Sequence, residues 1–257
     1  MASTSNRNFS SFFSPNMTNI SIDEKIRIAL QFNNLSKSTK ETLTKVYCAL
    51  SIGITVATIG VLFSMFIYRP NFLVNLLLVI GSSILFATAP RTQRYEHQVR
   101  RFALFNLVTF VTGISSSGLI EFYMDINPAI VLNAFIATSG IFISFTLFSL
   151  FTDKRLYIFI GSGLASLTLG IFVLSLTSLF TGYNETLDQF LVIAILATSV
   201  LFVIFDTQLM VHRIENMGEK DVLLHAFILF YDFVDLFRII LKILAKKENK
   251  NNNKSRR

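Results

Sequence analysis

The segment VLLHAFILFYDFVDLFRIILKIL, residues 222–244, decides how this chain must fold. It is apolar along most of its length, yet it carries five ionisable side chains: His225, Asp232, Asp235, Arg238 and Lys242. A helix that faced lipid could not carry five ionisable side chains, because placing each such group in hydrocarbon costs free energy. The segment therefore predicts a polar helix that other helices shield from lipid.

The rest of the chain can supply those helices. Of its 257 residues, 52% are hydrophobic and 15% are charged, and the mean hydropathy of +0.57 is too high for an ordinary soluble domain. Six apolar runs precede the segment, and each is long enough to cross a bilayer as a helix. They cover residues 46–68, 71–89, 102–120, 129–151, 156–180 and 190–211. The predicted fold class is an all-α polytopic membrane protein, a seven-helix bundle with a polar seventh helix.

Charge divides the chain into three parts and orients it. We predict a polar cytosolic N-terminal extension at residues 1–45, a transmembrane domain at 46–244 and a basic tail at 245–257. Basic residues precede the first run and follow the second, fourth and sixth, which places those connections in the cytosol. The tail adds six more cations: Lys246, Lys247, Lys250, Lys254, Arg256 and Arg257. These charges favour a re-entrant seventh segment, and a full crossing stays open as the alternative.

Two carboxylates lie within the apolar segments. Asp206 is deep in the sixth run, and Asp232 is midway along the seventh segment. Burial and a neighbouring like charge each favour the protonated form, so such a pair would hold a proton and titrate as a unit. When both carboxyls are ionised they repel, or they contact a hard cation such as calcium. The pair therefore suggests a proton-sensitive gate, a transient cation site, or both.

Several short motifs resemble the Bax inhibitor-1, or transmembrane Bax inhibitor motif, family. They are Phe205-Asp206-Thr207-Gln208-Leu209 and the segment from Leu229 to Arg238, supported by Phe110-Val111-Thr112-Gly113, Ile120-Glu121-Phe122, Asn127-Pro128 and Phe145-Thr146-Leu147. Their order and spacing, over about residues 45–257, are most similar to those of the endoplasmic-reticulum members. One departure is that these relatives carry an additional acid where this chain has Ile228.

The resemblance implies a bundle whose seventh helix is central, and a calcium leak from the endoplasmic reticulum. Asp206 and Asp232 would be the pH-sensing pair and would contact calcium transiently. An arginine at the end of the second helix would engage the sixth-helix aspartate, and the candidates are Arg91 and Arg94. His225 and Asp235 are auxiliary candidates.

The family resemblance also implies suppression of cell death, with the basic tail involved. We expect calcium and protons as partners, anionic lipid at the tail, anti-apoptotic membrane proteins as further partners, and no nucleic acid. No cofactor is expected, because calcium would be the permeant ion. Two alternatives to a pH-gated channel stay open: a non-conducting membrane adaptor that acts through its tail, and a proton-coupled calcium exchanger.

An enzymatic function is not expected. Tyr231-Asp232 matches the Tyr-Asp signature of intramembrane aspartyl proteases, whose two carboxyl groups act as acid and base on one water molecule. In that class, however, the other aspartate lies in a Gly-x-Gly pattern on a later helix. Asp206 instead follows Val203-Ile204-Phe205 and precedes Asp232 in the chain.

Overall fold

The computed structural model describes residues 36–69, 71–91, 95–151, 156–182, 184–219 and 221–255. Residues 1–35, which hold most of the predicted N-terminal extension, lie outside this part of the chain. The described residues form seven helices: α1 (Lys37–Phe66), α2 (Phe72–Thr88), α3 (Tyr95–Ile126), α4 (Ala129–Phe151), α5 (Leu156–Thr181), α6 (Glu185–Asn216) and α7 (Val222–Ser255). The predicted all-α fold class is confirmed.

The helix lengths agree with a protein that crosses a membrane several times. Helices α1, α3, α4, α5 and α6 are long and apolar enough to span, and α2 is a shorter apolar helix of 17 residues. Helices α2, α4 and α5 coincide with apolar runs of the sequence to within about two residues, the usual uncertainty of helix ends. The other helices continue into polar residues beyond the apolar runs.

Helix α7 lies at the centre of the bundle. It packs against α1, α3, α4 and α6, and it meets α2 through the stacked rings of Phe86 and Phe227, whose centroids are 4.8 Å apart. The side chains of Ala226, Phe230 and Leu236 are completely buried. The prediction of a polar seventh helix shielded by other helices is therefore confirmed.

Helices α1 and α3 form the closest pair of the bundle because glycine lets their backbones approach. A Cβ atom added at Gly113 would lie 2.0 Å from the carbonyl oxygen of Ala57, and one added at Gly60 would lie 2.2 Å from that of Phe110. Small residues serve this purpose in membrane helices generally. In contrast, α5 packs on α6 at the outside of the bundle.

The bundle has two ends, which we name by their residues. The loop end holds Arg91, Arg101 and Asp221, at the α2–α3 and α6–α7 connections. The tail end holds Asn127 and Asp188, at the α3–α4 and α5–α6 connections.

Helix α7 runs from the loop end to the tail end without interruption. It begins beside Asp221, and Lys242 Nζ lies 2.8 Å from Asp188 Oδ1. Further along, Glu248 accepts a hydrogen bond from Asn127 at 3.0 Å. A helix of 34 residues is about 51 Å long, more than enough for this crossing. The re-entrant alternative, which the tail charges favoured, therefore does not describe α7, and the basic tail follows the tail end.

Candidate functional site

The two membrane aspartates meet in the interior of the bundle. The carboxyl groups of Asp206 on α6 and Asp232 on α7 lie within hydrogen-bonding range of each other. Asp232 Oδ2 is buried and makes no hydrogen bond to any residue that the structure describes. Two carboxyl groups can hydrogen-bond to each other only when at least one carries a proton. The arrangement is therefore one in which gaining or losing a proton changes the contact between α6 and α7.

The pair is set into an apolar section of both helices. Val203 on α6 and Phe230 on α7 are completely buried, and Leu229 is 1% exposed. These apolar neighbours screen charge less than water does, so an electrostatic change between the carboxyls is felt more strongly than it would be in solvent. This environment makes the protonation state of the pair consequential for helix packing.

A groove of about 430 Å³ lies on the tail-end side of the pair. Its walls come from α3, α5 and α6, and its floor is α7. On α6 the lining includes Phe202, four residues before Asp206, and on α7 it includes Asp235, three residues after Asp232. The groove therefore ends about one helical turn from the pair on both helices. Arg238 and Lys242 also line it.

A much smaller cavity lies on the loop-end side. Its volume is about 10 Å³, and its lining includes Asp206, Arg213 and His225. A space of this size holds about one water molecule. The Nε2 atom of His225 is buried and has no hydrogen-bond partner among the described residues. The space next to the pair is thus wide on the tail-end side, where it stops one turn short of the carboxyls, and narrow on the loop-end side.

A buried ion pair closes the loop end. Arg101 Nη1 lies 2.8 Å from each carboxylate oxygen of Asp221, and the two side chains are 9% and 10% exposed. The guanidinium of Arg101 also lies 5.3 Å from the ring centroid of Phe86. Arg91 approaches Asp221 at 3.7 Å, and Glu219 lies 3.9 Å from both Arg91 and Arg213. The α6–α7 connection is therefore tied to the start of α3.

The charged contacts at the tail end are more exposed. Asp188 binds Lys242 at 2.8 Å and also binds Lys246, and the two lysine side chains are 41% and 35% exposed. Arg69 pairs with Glu121, with side chains 64% and 35% exposed. The Asp188 contacts hold the second half of α7 against the start of α6, and the Arg69–Glu121 contact joins the α1–α2 connection to α3.

The structure brings some of the predicted site residues to the pair and places others elsewhere. His225 shares the small cavity with Asp206, and Asp235 lies in the groove. Arg91 lies with Glu219 and Asp221, while the arginine whose charge acts on Asp206 is Arg213. Arg94 lies outside the described residues.

The tail cations also differ in position. Lys246 binds Asp188, whereas Lys247 and Lys250 are exposed on α7. The backbone of Lys254 is helical, while Arg256 and Arg257 lie outside the described part of the chain.

Several polar residues of the site were not anticipated from the sequence. Arg101, Asp221, Arg213 and Asp188 all lie at the ends of apolar runs, where charged residues are ordinary. The one available signal was the position of Arg101 directly before Phe102, the first residue of an apolar run. Its burial depends on an aspartate that is 120 residues away in the chain.

A second polar group lies on the other side of α6. The hydroxyl of Tyr47 on α1 is within interaction range of the hydroxyls of Thr146 and Thr207. All three oxygens are buried without a hydrogen bond of ordinary geometry to the described residues. Polar groups thus flank α6 on two faces at the level of Asp206.

The chemistry available at the site comes from its two facing carboxyl groups. No group of three or more His, Cys, Asp or Glu side chains within the described ranges is placed to hold a metal ion. Two facing carboxyls can still exchange a proton, or contact a passing cation when both are ionised.

Comparison with known proteins identifies relatives over nearly the whole chain. Residues 39–249 match the family model described as "Inhibitor of apoptosis-promoting Bax1". The chain is 81% identical to the "Bax inhibitor 1 homolog" of Dictyostelium discoideum over 257 residues, all of both chains. It is 33% identical to "Bax inhibitor 1" of Homo sapiens over 229 residues, which cover 88% of this chain and 95% of the human protein. The family resemblance of the sequence motifs is confirmed.

Proposed function

The chain belongs to the Bax inhibitor-1 family, and on that premise we propose that it is a pH-sensitive calcium leak channel of the endoplasmic reticulum membrane. The leak would moderate the calcium load of this compartment and thereby suppress apoptosis. The names of the family model and of the relatives support the link to cell death. The multi-pass fold supports a role within the membrane.

One observation carries the proposal: the Asp206–Asp232 contact lies between a wide groove on the tail-end side and a small cavity on the loop-end side. Ionisable residues inside membrane proteins commonly mark ion and proton pathways. Here the pair lies where the wide groove and the narrow cavity come closest. A change in the α6–α7 contact at this point would join or separate them.

Protonation supplies the switch in this mechanism. While the pair shares a proton, a hydrogen bond holds α6 against α7 and the path is closed. When the proton leaves, two like charges face each other in a weakly screened interior and repel. The repulsion favours a packing in which the helices separate and a calcium ion can contact both carboxylates. Flux should therefore rise with pH.

The sparse set of acidic ligands suits a leak. Calcium sites that hold the ion tightly use six to eight oxygen ligands. A permeant ion must leave its site as readily as it enters. Two carboxylates would attract calcium without retaining it. The proposal requires no catalytic residue and no resident cofactor.

Calcium flux into proteoliposomes that hold the purified full chain tests the proposal. Asp206→Asn and Asp232→Asn each mimic the protonated carboxyl, so flux at about pH 8 should fall about tenfold, equivalent to about 1.4 kcal/mol. The matched control is Asp125→Asn, which removes an exposed carboxylate at the end of α3 and should keep normal flux. Wild-type protein that is folded yet gives no flux above that of empty vesicles would overturn the channel. Protons moving against calcium in a fixed ratio would show an exchanger instead.

The adaptor is the second candidate, because α7 continues as a helix through Ser255, past its contacts with Asp188 and Asn127. Exposed Lys247 and Lys250 on this extension could bind anionic lipid, at about 1 kcal/mol per cation near the surface, or a cell-death regulator. Replacing Lys247, Lys250 and Lys254 by Gln separates the two functions. The channel keeps its flux in this variant, whereas an adaptor loses protection of cells from death.

A further inference from the structure

The groove on the tail-end side contains a cation whose position is not explained by packing alone. Arg238 donates a hydrogen bond to Ser116 on α3 at 2.9 Å and lies 3.6 Å from Asp235. Its side chain is 35% exposed and that of Asp235 is 62% exposed. The contact with Asp235 is weak, because an exposed ion pair one turn apart is screened. A single hydrogen bond to Ser116 is therefore the main contact that holds Arg238 in this position.

These charges lie well inside the bundle. Lys242 is at the level of Asp188, where α6 begins to be apolar, and Asp235 is seven residues further in along α7. At a rise of about 1.5 Å per residue, the separation along the helix is about 10 Å. Charged side chains at such a depth face water or one another rather than lipid. The groove is thus a recess with charged side chains on its α7 face that reaches from the tail end toward the acid pair.

The two lysines at the mouth of this recess already have a partner. Lys242 and Lys246 both bind Asp188, which anchors them at the mouth. Arg238 is one turn deeper than Lys242 and stands beside the carboxylate of Asp235, which is within electrostatic range of Asp232. A calcium ion on its way between the tail end and the pair would pass Arg238 and meet its charge directly.

Building on the proposed channel, we infer that Arg238 is a tethered cation that limits the leak by competing with calcium for Asp235. While the guanidinium occupies the recess, its charge raises the energy of a divalent cation there. When it moves out, Asp235 becomes the first carboxylate that calcium meets before the acid pair. Arg238 is then a permeation-controlling residue that does not itself take part in proton sensing.

The test is calcium flux through full-length Arg238→Gln in proteoliposomes. Losing one positive charge beside the path should raise flux about threefold or more at every pH, because bringing a divalent cation past a like charge has an electrostatic cost that the variant removes. Arg69→Gln is the matched control, because Arg69 is at the tail end and pairs with Glu121 outside the groove. Asp235→Asn should lower flux.

Restoring the charge by chemistry makes the test independent of how well one variant folds. Cys48 is the single cysteine of the chain and is exposed, so Cys48→Ser gives a cysteine-free background. Arg238→Cys in that background should show raised flux. A cationic aminoethyl thiosulfonate reagent should return flux toward the wild-type value, whereas a neutral methyl thiosulfonate reagent should leave it high.

The outcomes separate this inference from the proposed function. If Arg238→Gln and Arg238→Cys both give the same flux as the wild type, the proposed role of Arg238 is overturned, while the proposed channel stands. An equal response to the cationic and neutral reagents would overturn the charge mechanism. Absence of wild-type flux would remove the channel itself, and the inference with it.

Discussion

The two ends of the bundle hold their ion pairs in different surroundings. At the loop end, Arg101 and Asp221 are 9% and 10% exposed and make a two-oxygen contact. At the tail end, Asp188 forms ion pairs with two lysines whose side chains are 41% and 35% exposed. The cavity beside the first is about 10 Å³ and the groove beside the second is about 430 Å³. One end has a buried ion pair and a small cavity, and the other has exposed ion pairs and a wide groove.

The difference concerns how firmly the ion pairs hold each end of the bundle together. A buried ion pair that loses one partner leaves an uncompensated charge, so it is held in place strongly. An exposed pair exchanges its contacts with water and contributes little. We infer that ions and water approach the acid pair from the tail end, and that the barrier lies between the pair and the loop end. The following variants test that asymmetry.

The largest effect on stability should come from Arg101→Gln. It leaves the buried carboxylate of Asp221 with only the more exposed Arg91 at 3.7 Å, so the cost approaches the roughly 3–5 kcal/mol of a broken buried pair. For a chain of this length the Tm should fall by about 10 °C. Thermal unfolding in detergent, followed by circular dichroism, measures the shift. Arg100→Gln makes the same change at the exposed neighbouring position and should leave the Tm unchanged. Equal shifts in both variants would contradict a special role for the buried pair.

A smaller effect is expected at the tail end from Asp188→Asn. The change releases Lys242 and Lys246, both of which solvent can reach, so the loss should be about 1 kcal/mol or less. The Tm should fall by about 2–4 °C in the same experiment. A fall as large as that of Arg101→Gln would mean that the tail end is as firmly closed as the loop end.

The smallest effect should be the change that salt makes to the Tm difference between the wild type and each of these two variants. Raising the ionic strength from about 0.1 M to about 1 M shortens the screening length from about 10 Å to about 3 Å. The Tm difference between wild type and Asp188→Asn should shrink, because the contact is exposed. The difference for Arg101→Gln should persist, because solvent ions do not reach that pair. If salt changed the two Tm differences equally, the distinction between a buried pair at the loop end and exposed pairs at the tail end would be contradicted.

Much of the fold follows from the sequence because apolar runs and helix ends coincide wherever turn residues bound the run. Helix α4 has the predicted bounds of 129–151, and α2 differs from the run 71–89 by one residue at each end. Helices α1 and α6 extend beyond their runs to Lys37 and Asn216. A helix does not stop where it leaves the bilayer, so hydropathy locates the crossing and not the helix end.

The path of α7 shows a limit of charge counting. The tail cations favoured a re-entrant segment, because the rule that assigns basic loops to the cytosol considers each loop separately. The structure instead matches Lys242 and Lys246 to Asp188, and Asn127 to Glu248. Such pairings depend on which helices are neighbours, which local composition does not specify.

The candidate site likewise contains residues that could be found in the sequence and residues that could not. Asp206 and Asp232 could be found in the sequence because a carboxylate within an apolar run is conspicuous. Arg101 and Asp221 could not, because charges at the ends of runs are common and this pairing is set by the packing of α3 against the α6–α7 connection. The sequence therefore identified the aspartate pair and missed the buried ion pair at the loop end.

The central claim is that Asp206 and Asp232 act as a single proton-dependent unit. Calcium flux through wild type, Asp206→Asn, Asp232→Asn and the double variant, measured from about pH 6 to about pH 8, tests it most directly. We predict that wild-type flux rises with pH and that all three variants share one low, pH-independent flux, because removing either carboxyl already abolishes the unit. A double variant whose loss is the product of the two single losses, or a pH dependence that survives in it, would contradict the account.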